Sequence, residues 1–436
     1  MNSLQLLRTI KPTNDITYSG HVTKIVGMMI EANGPLLGIG GRCSIHSSNG
    51  NIIPAEIVGF KENRVILMPY GESDGIFPGS LVESLTSAAT VSVSNAMLGR
   101  ILNGLGEPID DKGPLPQGVP VPIYNNAPDP MKRRVIKDII TTGIKAIDGL
   151  MTTGSGQRVG IFAGSGVGKS VLLGMIARNT DADINVIALI GERGREVREF
   201  IERDLGVEGL KRSVVIVATS DQAPLVRRMG AFVATAIAEY FRGQGKNVMF
   251  MMDSVTRFAM AQREIGLTVG EPPTTKGYPP SVFALLPKLL ERAGTNEGDG
   301  SITGLYTVLV EGDDMNDPIA DTVRSIIDGH IVLSRMMGAR NHFPAIDVLV
   351  SASRLMKEIV TDEVFTTAGR FRDLLATYRE AEDLINIGAY VAGSNPKIDE
   401  SIKKINAVNS FLQQKMNESF SYNESIEAIK TIVTAK

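Results

Sequence analysis

Cysteine and histidine are scarce in this chain of 436 residues. Cys43 is the only cysteine, which excludes an internal disulfide and any metal site built mainly from cysteine. The four histidines are scattered and show no spacing typical of metal ligands. We therefore expect surface or packing roles for the histidines and no zinc-type centre.

The sequence also has no excess of basic residues and no long apolar runs. The 45 Lys and Arg residues are balanced by 48 Asp and Glu residues, a formal net charge of −3, so no overall basic surface indicates nucleic-acid binding. No stretch approaches the ~18 consecutive apolar residues needed to span a bilayer, and the amino terminus MNSLQLLRTIKPTND lacks the apolar core of a secretory signal. We expect a cytoplasmic protein that has no nucleic acid as a partner.

The most informative stretch runs from residue 158 to residue 178 and reads RVGIFAGSGVGKSVLLGMIAR, a short apolar strand, a glycine-rich loop and a helix. It matches the phosphate-loop pattern G-x-x-x-x-G-K-[ST] except at the first position, which is Ala163. Glycines let successive backbone N–H groups turn towards an anion, and the amino terminus of the helix adds its positive dipole end. We predict that Lys169 reaches the terminal phosphates of a nucleotide and that Ser170 holds Mg²⁺. The predicted nucleotide-binding residues are Gly164, Ser165, Gly166, Val167, Gly168, Lys169, Ser170 and Val171.

Different sequence patterns follow one another along the chain. Residues 17–93 contain short β-rich runs separated by turns, which predict a small β-barrel, and their few aromatic residues are not clustered with basic ones, so base stacking gains little support. Residues 94–150 form a connector rich in glycine and proline. From residue 158 on, nearly continuous apolar runs alternate with helical segments, as in parallel strands covered on both faces. After about residue 347 the strands stop and helical periodicity takes over.

These patterns predict an α/β fold class: a RecA-like P-loop NTPase domain with a parallel sheet, an N-terminal small β-barrel and a C-terminal helical domain. The predicted boundaries are 1–93 for the barrel domain, 94–346 for the ATP-binding catalytic domain and 347–436 for the helical domain. In such an open sheet, ligands bind beyond the carboxyl ends of the strands. The residues that follow each apolar run are therefore candidates for a functional site.

Three of the apolar runs lead into charged residues, and one of them, SITGLYTVLVE, runs into Asp313 and Asp314. The run INVIALI leads into Glu192 and Arg193, and the run NVMFMM ends at Asp253. Asp253 has the form of the second nucleotide-binding motif, a carboxylate in the Mg²⁺ shell, and it also suits the N-cap of the helix that follows. Glu192 suits either a carboxylate that positions an attacking water or a solvated ion pair with Arg193. Arg257 points at a γ-phosphate or pairs with a carboxylate, and the sequence alone does not separate these two roles.

Several long motifs occur in an order that resembles the catalytic family of rotary ATPases, and most of all its flagellum-specific and type III protein-export members. They are GIFAGSGVGKS, ALIGERGREV, AEYFR, MDSVTRFAMAQREIG, EPPTTKGYPPSVFALLPKLLERAG and EGDDMNDPIADTVRSIIDGHIVLSR. The similarity covers nearly the whole chain, from LGRILNGLGEPID to INIGAYVAGSNP, while the first 90 residues match only in outline. The resemblance implies an ATP hydrolase that uses ATP and Mg²⁺.

The resemblance also implies roles for the charged residues at the strand ends. Glu192 would orient the attacking water, and Asp253 would belong to the metal shell. Arg193 and Arg257 would lie near the γ-phosphate. The implied catalytic residues are Lys169, Glu192, Arg193, Arg257 and Arg354, and the implied metal ligands are Ser170 and Asp253.

Two further roles follow from the resemblance alone. Phe343, in NHFPAID, falls where an aromatic ring stacks on adenine, and a core aromatic is the alternative. Arg354, in VLVSASRLMKE, matches the arginine that enters the site of the neighbouring subunit. In the energy-coupling synthase of this family, the water-orienting glutamate and the inserted arginine belong to different kinds of subunit, whereas Glu192 and Arg354 occur here in one chain. A homohexamer of this chain would therefore build complete sites at every interface.

The resulting prediction is an ATPase that acts at the subunit interfaces of a homohexameric ring and energises or primes protein export by a flagellar or related type III secretion apparatus. The implied partners are an export-apparatus regulator, stalk proteins, export substrates and chaperones, and the membrane export gate, which the ring would contact peripherally at the cytoplasmic face of the bacterial inner membrane. The loop GEPPTTKGYPP at 270–280 would face the ring axis, with a plain surface loop as the alternative. The segment NSLQLLRTI is an amphipathic docking helix or a frayed terminus.

Three alternative functions stay open from the sequence. A catalytic subunit of a proton-translocating ATP synthase would need a second, different ring subunit, and the carboxyl-terminal helices lack the acidic lever of that subunit. A hexameric nucleic-acid translocase shares the sheet and an amino-terminal β-domain but would need a basic, aromatic surface. A non-catalytic nucleotide-binding scaffold would need no water-orienting carboxylate such as Glu192.

Overall fold

The computed structural model describes residues 17–85, 89–310, 312 and 314–435, which form two compact units. One unit consists of the described residues up to Thr90 together with Gln222–Val226 and Ala261–Ser281, and the other contains the rest of the chain. The docking helix predicted at NSLQLLRTI lies outside the described residues. Within the described ranges, we find no helix with the length and apolar character that a membrane span requires.

The amino-terminal strands close into an antiparallel barrel. They are β1 (Ser19–Val26), β2 (Met29–Ala32), β3 (Arg42–His46), β4 (Ile52–Lys61), β5 (Arg64–Pro69) and β6 (Leu81–Ser84), and they pair in the order β1-β2-β5-β4-β3-β6. Aliphatic side chains from different strands fill the barrel, including Val22, Ile30, Ile45, Ile57 and Leu67. These residues belong to the short β-rich runs between turns, so the predicted barrel is confirmed.

The strands that follow the barrel build the central sheet and two small sheets. They are β7 (Thr90–Val93), β8 (Arg100–Asn103), β9 (Val119–Pro122), β10 (Ile139–Ile140), β11 (Thr153–Gly154), β12 (Arg158–Ala163), β13 (Ile184–Ile190), β14 (Ser213–Ala218), β15 (Asn247–Asp253), β16 (Gly294–Thr295), β17 (Ser301–Leu309), β18 (Gly329–Leu333) and β19 (Ala352–Ser353). Nine of them form one sheet in the order β19-β18-β12-β17-β15-β13-β14-β8, with β16 paired to β17, and the two small sheets are β7-β9 and β10-β11. The pairings from β18 to β8 are all parallel. Every residue of β13 and β14 is buried, so both faces of the sheet are covered there, as predicted.

Helices separate these strands and make up the carboxyl-terminal part. The α-helices are Lys145–Leu150, Lys169–Asn179, Gly194–Glu199, Gly206–Lys211, Pro224–Gly243, Val255–Thr268, Pro280–Leu290, Pro318–Ile326, Arg335–Ala339, Met356–Ile359, Asp362–Asn386, Pro396–Leu412 and Tyr422–Thr434. Phe200–Leu205 is a π-helical segment, and Asn95–Met97 and Thr275–Gly277 are single 3₁₀ turns. The α/β sheet, the barrel and the carboxyl-terminal helices together confirm the predicted fold class.

Three elements differ from the prediction. β8 lies in the predicted connector, and it joins the central sheet by pairing with β14. β19 follows residue 347, where strands were expected to stop, and it pairs with β18. Strands of two to four residues carry too little periodicity to be recognised, so only their pairing reveals them. The helix Pro396–Leu412 is shorter than its sequence pattern indicated, because it ends before QQKMNES. There the N–H of Gln414 donates to the carbonyl of Phe343 and not to a carbonyl of the helix.

A buried ion pair anchors the long helix Pro224–Gly243. Arg292 is fully buried, and its Nε and Nη2 donate to the two carboxylate oxygens of Glu239 at 2.9 and 2.7 Å. Its Nη1 donates to the carbonyl of Ile123 at 2.7 Å. Arg242, also buried, lies 3.9 Å from the same carboxylate. One carboxylate therefore compensates the charge of two buried guanidinium groups.

Replacing Glu239 by glutamine is expected to lower the free energy of unfolding by about 3–5 kcal/mol, because it leaves buried guanidinium groups without a counter-charge. The midpoint of urea denaturation, followed by circular dichroism, measures this change. Glu202→Gln is the matched control, since Glu202 pairs with Arg198 at 2.8 Å in solvent and an exposed pair contributes little. Equal small shifts for both variants would contradict a stabilising role for the Glu239 carboxylate.

Candidate active site

The strand β12 leads into the phosphate loop at the carboxyl edge of the parallel sheet. The strand ends at Ala163 and the helix begins at Lys169, so the predicted order of strand, loop and helix is confirmed. Gly166 and Gly168 have φ angles of 79° and 88°, in the left-handed region that glycine adopts without strain. A Cβ at Gly164 would force the Arg335 side chain to move, so this guanidinium group lies directly against the loop.

The loop residues face different surroundings. The side chain of Val167 is buried in the hydrophobic core, so this predicted nucleotide-binding residue offers only its main chain to a ligand. The other predicted residues border a cavity of about 650 Å³ at the carboxyl edge of the sheet; they are Gly164, Ser165, Gly166, Gly168, Lys169, Ser170 and Val171. This cavity is large enough for the phosphates that the sequence predicts there.

The structure brings Lys169, Glu192 and Asp253 together in one cluster. The Nζ of Lys169 lies 2.5 Å from Oδ1 of Asp253 and 3.4 Å from Oε1 of Glu192. The hydroxyl of Thr307 also donates to Oδ1 of Asp253, at 2.7 Å. It is Ser254, not Asp253, that accepts a hydrogen bond from the first turn of the following helix, through the N–H of Arg257 at 3.3 Å. The N-cap interpretation of Asp253 is therefore not supported by its contacts.

The electrostatics of this cluster set the protonation of Glu192. Burial and the negative charge of Asp253 raise the pKa of the Glu192 carboxyl, Lys169 acts in the opposite direction, and the resulting pKa is about 7. Burial by itself would lower the pKa of Lys169, but the charges of Asp253 and Glu192 raise it overall, so the ammonium group stays protonated. Glu192 can thus exchange a proton near neutral pH, as a group that assists hydrolysis must.

The predicted arginines border the same cavity. Arg193 pairs with Glu196 at 3.6 Å, whereas Glu192 pairs with Lys169 at 3.4 Å, so the alternative of a Glu192–Arg193 ion pair is wrong. Arg257 packs against Gly191, at the end of β13, and contributes to the cavity wall. Both cations are available on the side of the cavity that holds Glu192.

Three residues of this site were missed from the sequence. Arg335 lies two residues after the end of β18, and the rule that ligands bind beyond strand ends would have identified it. Thr307 lies inside β17 and reaches Asp253 only because β15 and β17 are neighbours. Arg203 lines the cavity from the π-helical segment Phe200–Leu205 and pairs with Asp204 at 2.9 Å, and no local sequence signal indicates this position.

Arg354 lies apart from this cluster. Its side chain is exposed next to β19, at the edge of the sheet, and its Nη2 donates to the carbonyl of Arg324 at 3.3 Å. Arg354 is not one of the described residues that line the phosphate cavity. Within one chain, the structure therefore does not bring Arg354 to the predicted catalytic residues.

A second cavity, of about 880 Å³, adjoins the phosphate loop and contains Phe343. The Phe343 ring lies against Gly168, where a Cβ would be 3.6 Å from the ring, and 44% of the residue is exposed. Phe343 is therefore not a core aromatic. Lys145 and Phe420 also line this cavity, and the Lys145 ammonium lies 4.7 Å from the centre of the Phe420 ring. An adenine base fits this apolar space beside the phosphates.

The donor atoms at the phosphate cavity fit Mg²⁺ bound together with a nucleotide. Mg²⁺ prefers oxygen ligands and usually binds through one or two protein groups, substrate phosphates and water. The Ser170 hydroxyl borders the cavity, and the Asp253 carboxylate lies beside Lys169. No cluster of three or more His, Cys, Asp or Glu residues suited to a metal occurs in the described part of the chain.

The parallel sheet carries a phosphate loop after one strand and a carboxylate, Asp253, at the end of another, with a cavity for a base beside them. This combination defines a nucleotide-hydrolysing P-loop protein. Matches of the sequence to models of known protein families identify the family within this class. The model of the ATP synthase alpha/beta family nucleotide-binding domain matches residues 143–353, and that of the same family's beta-barrel domain matches residues 22–86. The model of the T3SS EscN ATPase C-terminal domain matches residues 360–431.

Similar proteins give the particular branch of this family. The flagellum-specific ATP synthase of Bacillus subtilis is 55% identical over 435 residues, 99% of each chain. The type 3 secretion system ATPase of Xanthomonas euvesicatoria is 51% identical over 95% of this chain and 93% of its own. The assembled ATPase EscN from the enteropathogenic E. coli type III secretion system has a TM-score of 0.91 at 47% identity, covering 95% of this chain and 100% of EscN. This chain belongs to the flagellar and type III secretion ATPases of the ATP synthase alpha/beta family.

Proposed function

We propose that this chain hydrolyses ATP as a homohexameric ring that energises or primes protein export by a flagellar or related type III secretion apparatus. One observation carries the proposal: Lys169, Glu192 and Asp253 form a buried cluster, whereas Arg354 is exposed at the sheet edge of the same chain. A complete site then requires two subunits, with Glu192 from one and Arg354 from the next. The solved assembly of the similar ATPase EscN supports a ring.

Each residue near the phosphate loop has a separate task in this site. The backbone N–H groups of the loop and the Lys169 ammonium hold the phosphates in place. Glu192 orients the attacking water and accepts its proton, which its raised pKa near neutrality allows. Arg193 and Arg257, at the cavity wall, offset negative charge at the γ-phosphate. Arg354 of the neighbouring subunit adds a further positive charge when the ring forms.

Base and cation are bound by residues next to this centre. The adenine base lies against Phe343, in the cavity that Gly168 joins to the phosphate loop. Ser170 and Asp253 would hold Mg²⁺, which would supply positive charge to the phosphate oxygens. Thr307 fixes the Asp253 carboxylate by donating a hydrogen bond to it. The carboxylate is thus oriented independently of the nucleotide.

The export role includes further partners. A solved complex of EscN with its central stalk EscO, similar to this chain at 46% identity, supports a stalk partner here. We propose in addition a regulator, export substrates with their chaperones, and peripheral contact with a membrane export gate at the cytoplasmic face. The loop at 270–280 would face the stalk at the ring axis, and the three domains would be 1–93, 94–346 and 347–436. The close flagellar and type III relatives favour this role over an ATP synthase subunit or a nucleic-acid translocase.

The specific ATPase activity of the purified chain is expected to rise steeply with its own concentration as rings appear, because each site needs two subunits. Steady-state turnover with Mg²⁺ and particle size by light scattering are measured on the same samples. Lys169→Ala is the control: it should assemble as the wild type does but lose hydrolysis, because Lys169 lies in the phosphate cavity. Rings that form without activity would show that a different subunit completes the site, and turnover that RNA stimulates would favour a translocase.

A further inference from the structure

We infer that Gln414 is a positioning residue of the nucleotide site, which sets the width of the base cavity by holding its walls together. The inference rests on the proposed ATPase function of this cavity. Gln414 comes from the segment that follows the helix Pro396–Leu412, about 70 residues after Phe343 along the chain. Sequence motifs of nucleotide binding do not indicate it.

Gln414 is buried, and its hydrogen-bonding groups are matched to main-chain partners. Its Oε1 accepts from the N–H of Lys145 at 3.0 Å. Its Nε2 donates to the carbonyl of Gly143 at 2.8 Å and to the carbonyl of Glu418 at 3.0 Å. Its own N–H donates to the carbonyl of Phe343 at 3.0 Å. One residue therefore connects three segments that are distant in sequence.

The three connected segments form walls of the base cavity, beside the helix that begins at Lys169. Lys145 begins the helix on one side, Phe343 provides the aromatic ring, and the segment from Gln413 to Phe420 forms the carboxyl-terminal side. Gln414 itself borders the cavity, and its side chain bonds only to main-chain atoms of Lys145, Gly143 and Glu418. A change in this side chain therefore alters the spacing of these walls while the aromatic ring of Phe343 is kept. A buried amide whose donors and acceptors are all paired fixes the distance between these walls more strictly than an apolar side chain, because breaking any of its hydrogen bonds costs free energy.

The segment that carries Phe343 has a second attachment, which does not involve Gln414. Nη1 of Arg379, on the helix Asp362–Asn386, donates to both carboxylate oxygens of Asp347 at 3.0 and 3.1 Å. Asp347 lies four residues after Phe343, so this ion pair and the main-chain bond from residue 414 to Phe343 both remain when the Gln414 side chain is replaced. We expect Gln414 variants to fold, with an altered distance between the cavity walls.

Gln414→Glu in the full-length ring is expected to raise KM for ATP about tenfold, equivalent to ~1.4 kcal/mol, and to leave kcat within about twofold. Glutamate keeps the shape and the bond to the Lys145 N–H, but it places an acceptor against the carbonyls of Gly143 and Glu418. The reacting end of the site, with Glu192 and Arg354, is unchanged. Gln414→Met removes the three side-chain bonds without adding charge and should change KM in the same direction.

Comparison of two nucleotides separates a positioning role from a general loss of structure. The preference for ATP over UTP, as a ratio of kcat/KM values, should fall in the Gln414 variants, because a widened cavity costs the larger adenine more than uracil. Gln244→Glu is the matched control, since Gln244 is exposed in the turn after the helix Pro224–Gly243. Thermal unfolding and particle size verify that each variant folds and forms rings.

The outcomes distinguish this inference from the proposed function. A wild-type ring that hydrolyses no ATP contradicts the proposed function itself. An active wild type together with an unchanged KM and unchanged ATP preference in Gln414→Glu and Gln414→Met overturns the positioning role. A lower kcat at constant KM would also overturn it, because that result places the effect at the phosphates and not at the base.

Discussion

The Arg354→Ala variant is expected to hydrolyse ATP about 10³ to 10⁵ times more slowly than the wild-type ring, the effect that an inserted arginine has in phosphoryl-transfer sites. Its guanidinium group would offset charge that develops on the γ-phosphate in the transition state, so its loss acts on kcat. Nucleotide binding should change little, because the phosphate loop and the base cavity belong to the subunit that binds ATP. Steady-state turnover and binding of a fluorescent ATP analogue measure the two effects separately.

Arg370→Ala is the matched control for this variant. Arg370 is exposed and pairs with Glu400 at 3.3 Å on the carboxyl-terminal helices, away from both cavities. The Arg370→Ala variant also removes an exposed arginine side chain, but it leaves the proposed shared site unchanged. A decrease in kcat of less than tenfold for Arg354→Ala in intact rings would contradict a catalytic role for this arginine.

Mixing Arg354→Ala with Glu192→Ala tests whether the site is shared. In a mixed ring, some interfaces combine the intact Glu192 of one variant with the intact Arg354 of the other, so partial hydrolysis is expected from two proteins that are inactive alone. Rings are dissociated, mixed and reassembled, and native mass spectrometry verifies that both variants are present. No recovery in mixed rings would count against a site built from two identical subunits.

The second large effect is expected for Glu192→Gln, with a loss of about 10²- to 10⁴-fold in kcat, the range for removal of a general base. Glutamine keeps the size of the side chain, so the contact with Lys169 and the affinity for ATP should be largely preserved. Glu208→Gln is the control, because Glu208 is exposed and pairs with Lys211 at 2.6 Å. Comparable kcat values for wild type and Glu192→Gln would exclude Glu192 as the water-orienting group.

The same residue predicts the pH dependence of the reaction. Burial and the nearby Asp253 raise the pKa of Glu192 to about 7, so in the free enzyme it is protonated below that pH and ionised above it. Only the ionised form orients water and accepts its proton, and kcat/KM should therefore rise about tenfold per pH unit below pH 7 and level off above it. Residual activity of Glu192→Gln should lack this rise. A flat wild-type profile between pH 5.5 and 8 would contradict the assignment.

Local sequence was sufficient for the parts of the site that lie on one continuous segment. The phosphate loop needs glycines in the left-handed region at 166 and 168, and a strand and a helix around them, all within about twenty residues. Glu192 and Asp253 were found because parallel strands end at one edge of a sheet, which places the residues after each strand close together. The same reasoning, applied to the strand before Arg335, would have found that arginine too.

Residues that act through a neighbouring element gave no such signal. Thr307 is an ordinary strand residue until the pairing of β15 with β17 sets it beside Asp253. The edge strand β8 is too short to show a period, so its membership of the sheet follows only from its pairing with β14. The sequence pattern around Gln414 indicates a helix, yet Gln414 lies beyond the helix end and its N–H donates to the carbonyl of Phe343.

The sequence by itself therefore determined the type of chemistry: a phosphate loop, a carboxylate pair and an α/β sheet that places them together. These features depend on local backbone preference and on hydrophobic period, both of which are written into short segments. Only the tertiary structure decided that Arg354 lies outside the cluster of its own chain and that the base cavity is enclosed by three distant segments. Such arrangements arise from packing and main-chain hydrogen bonds between parts of the chain far apart in sequence, where no local pattern records the partner.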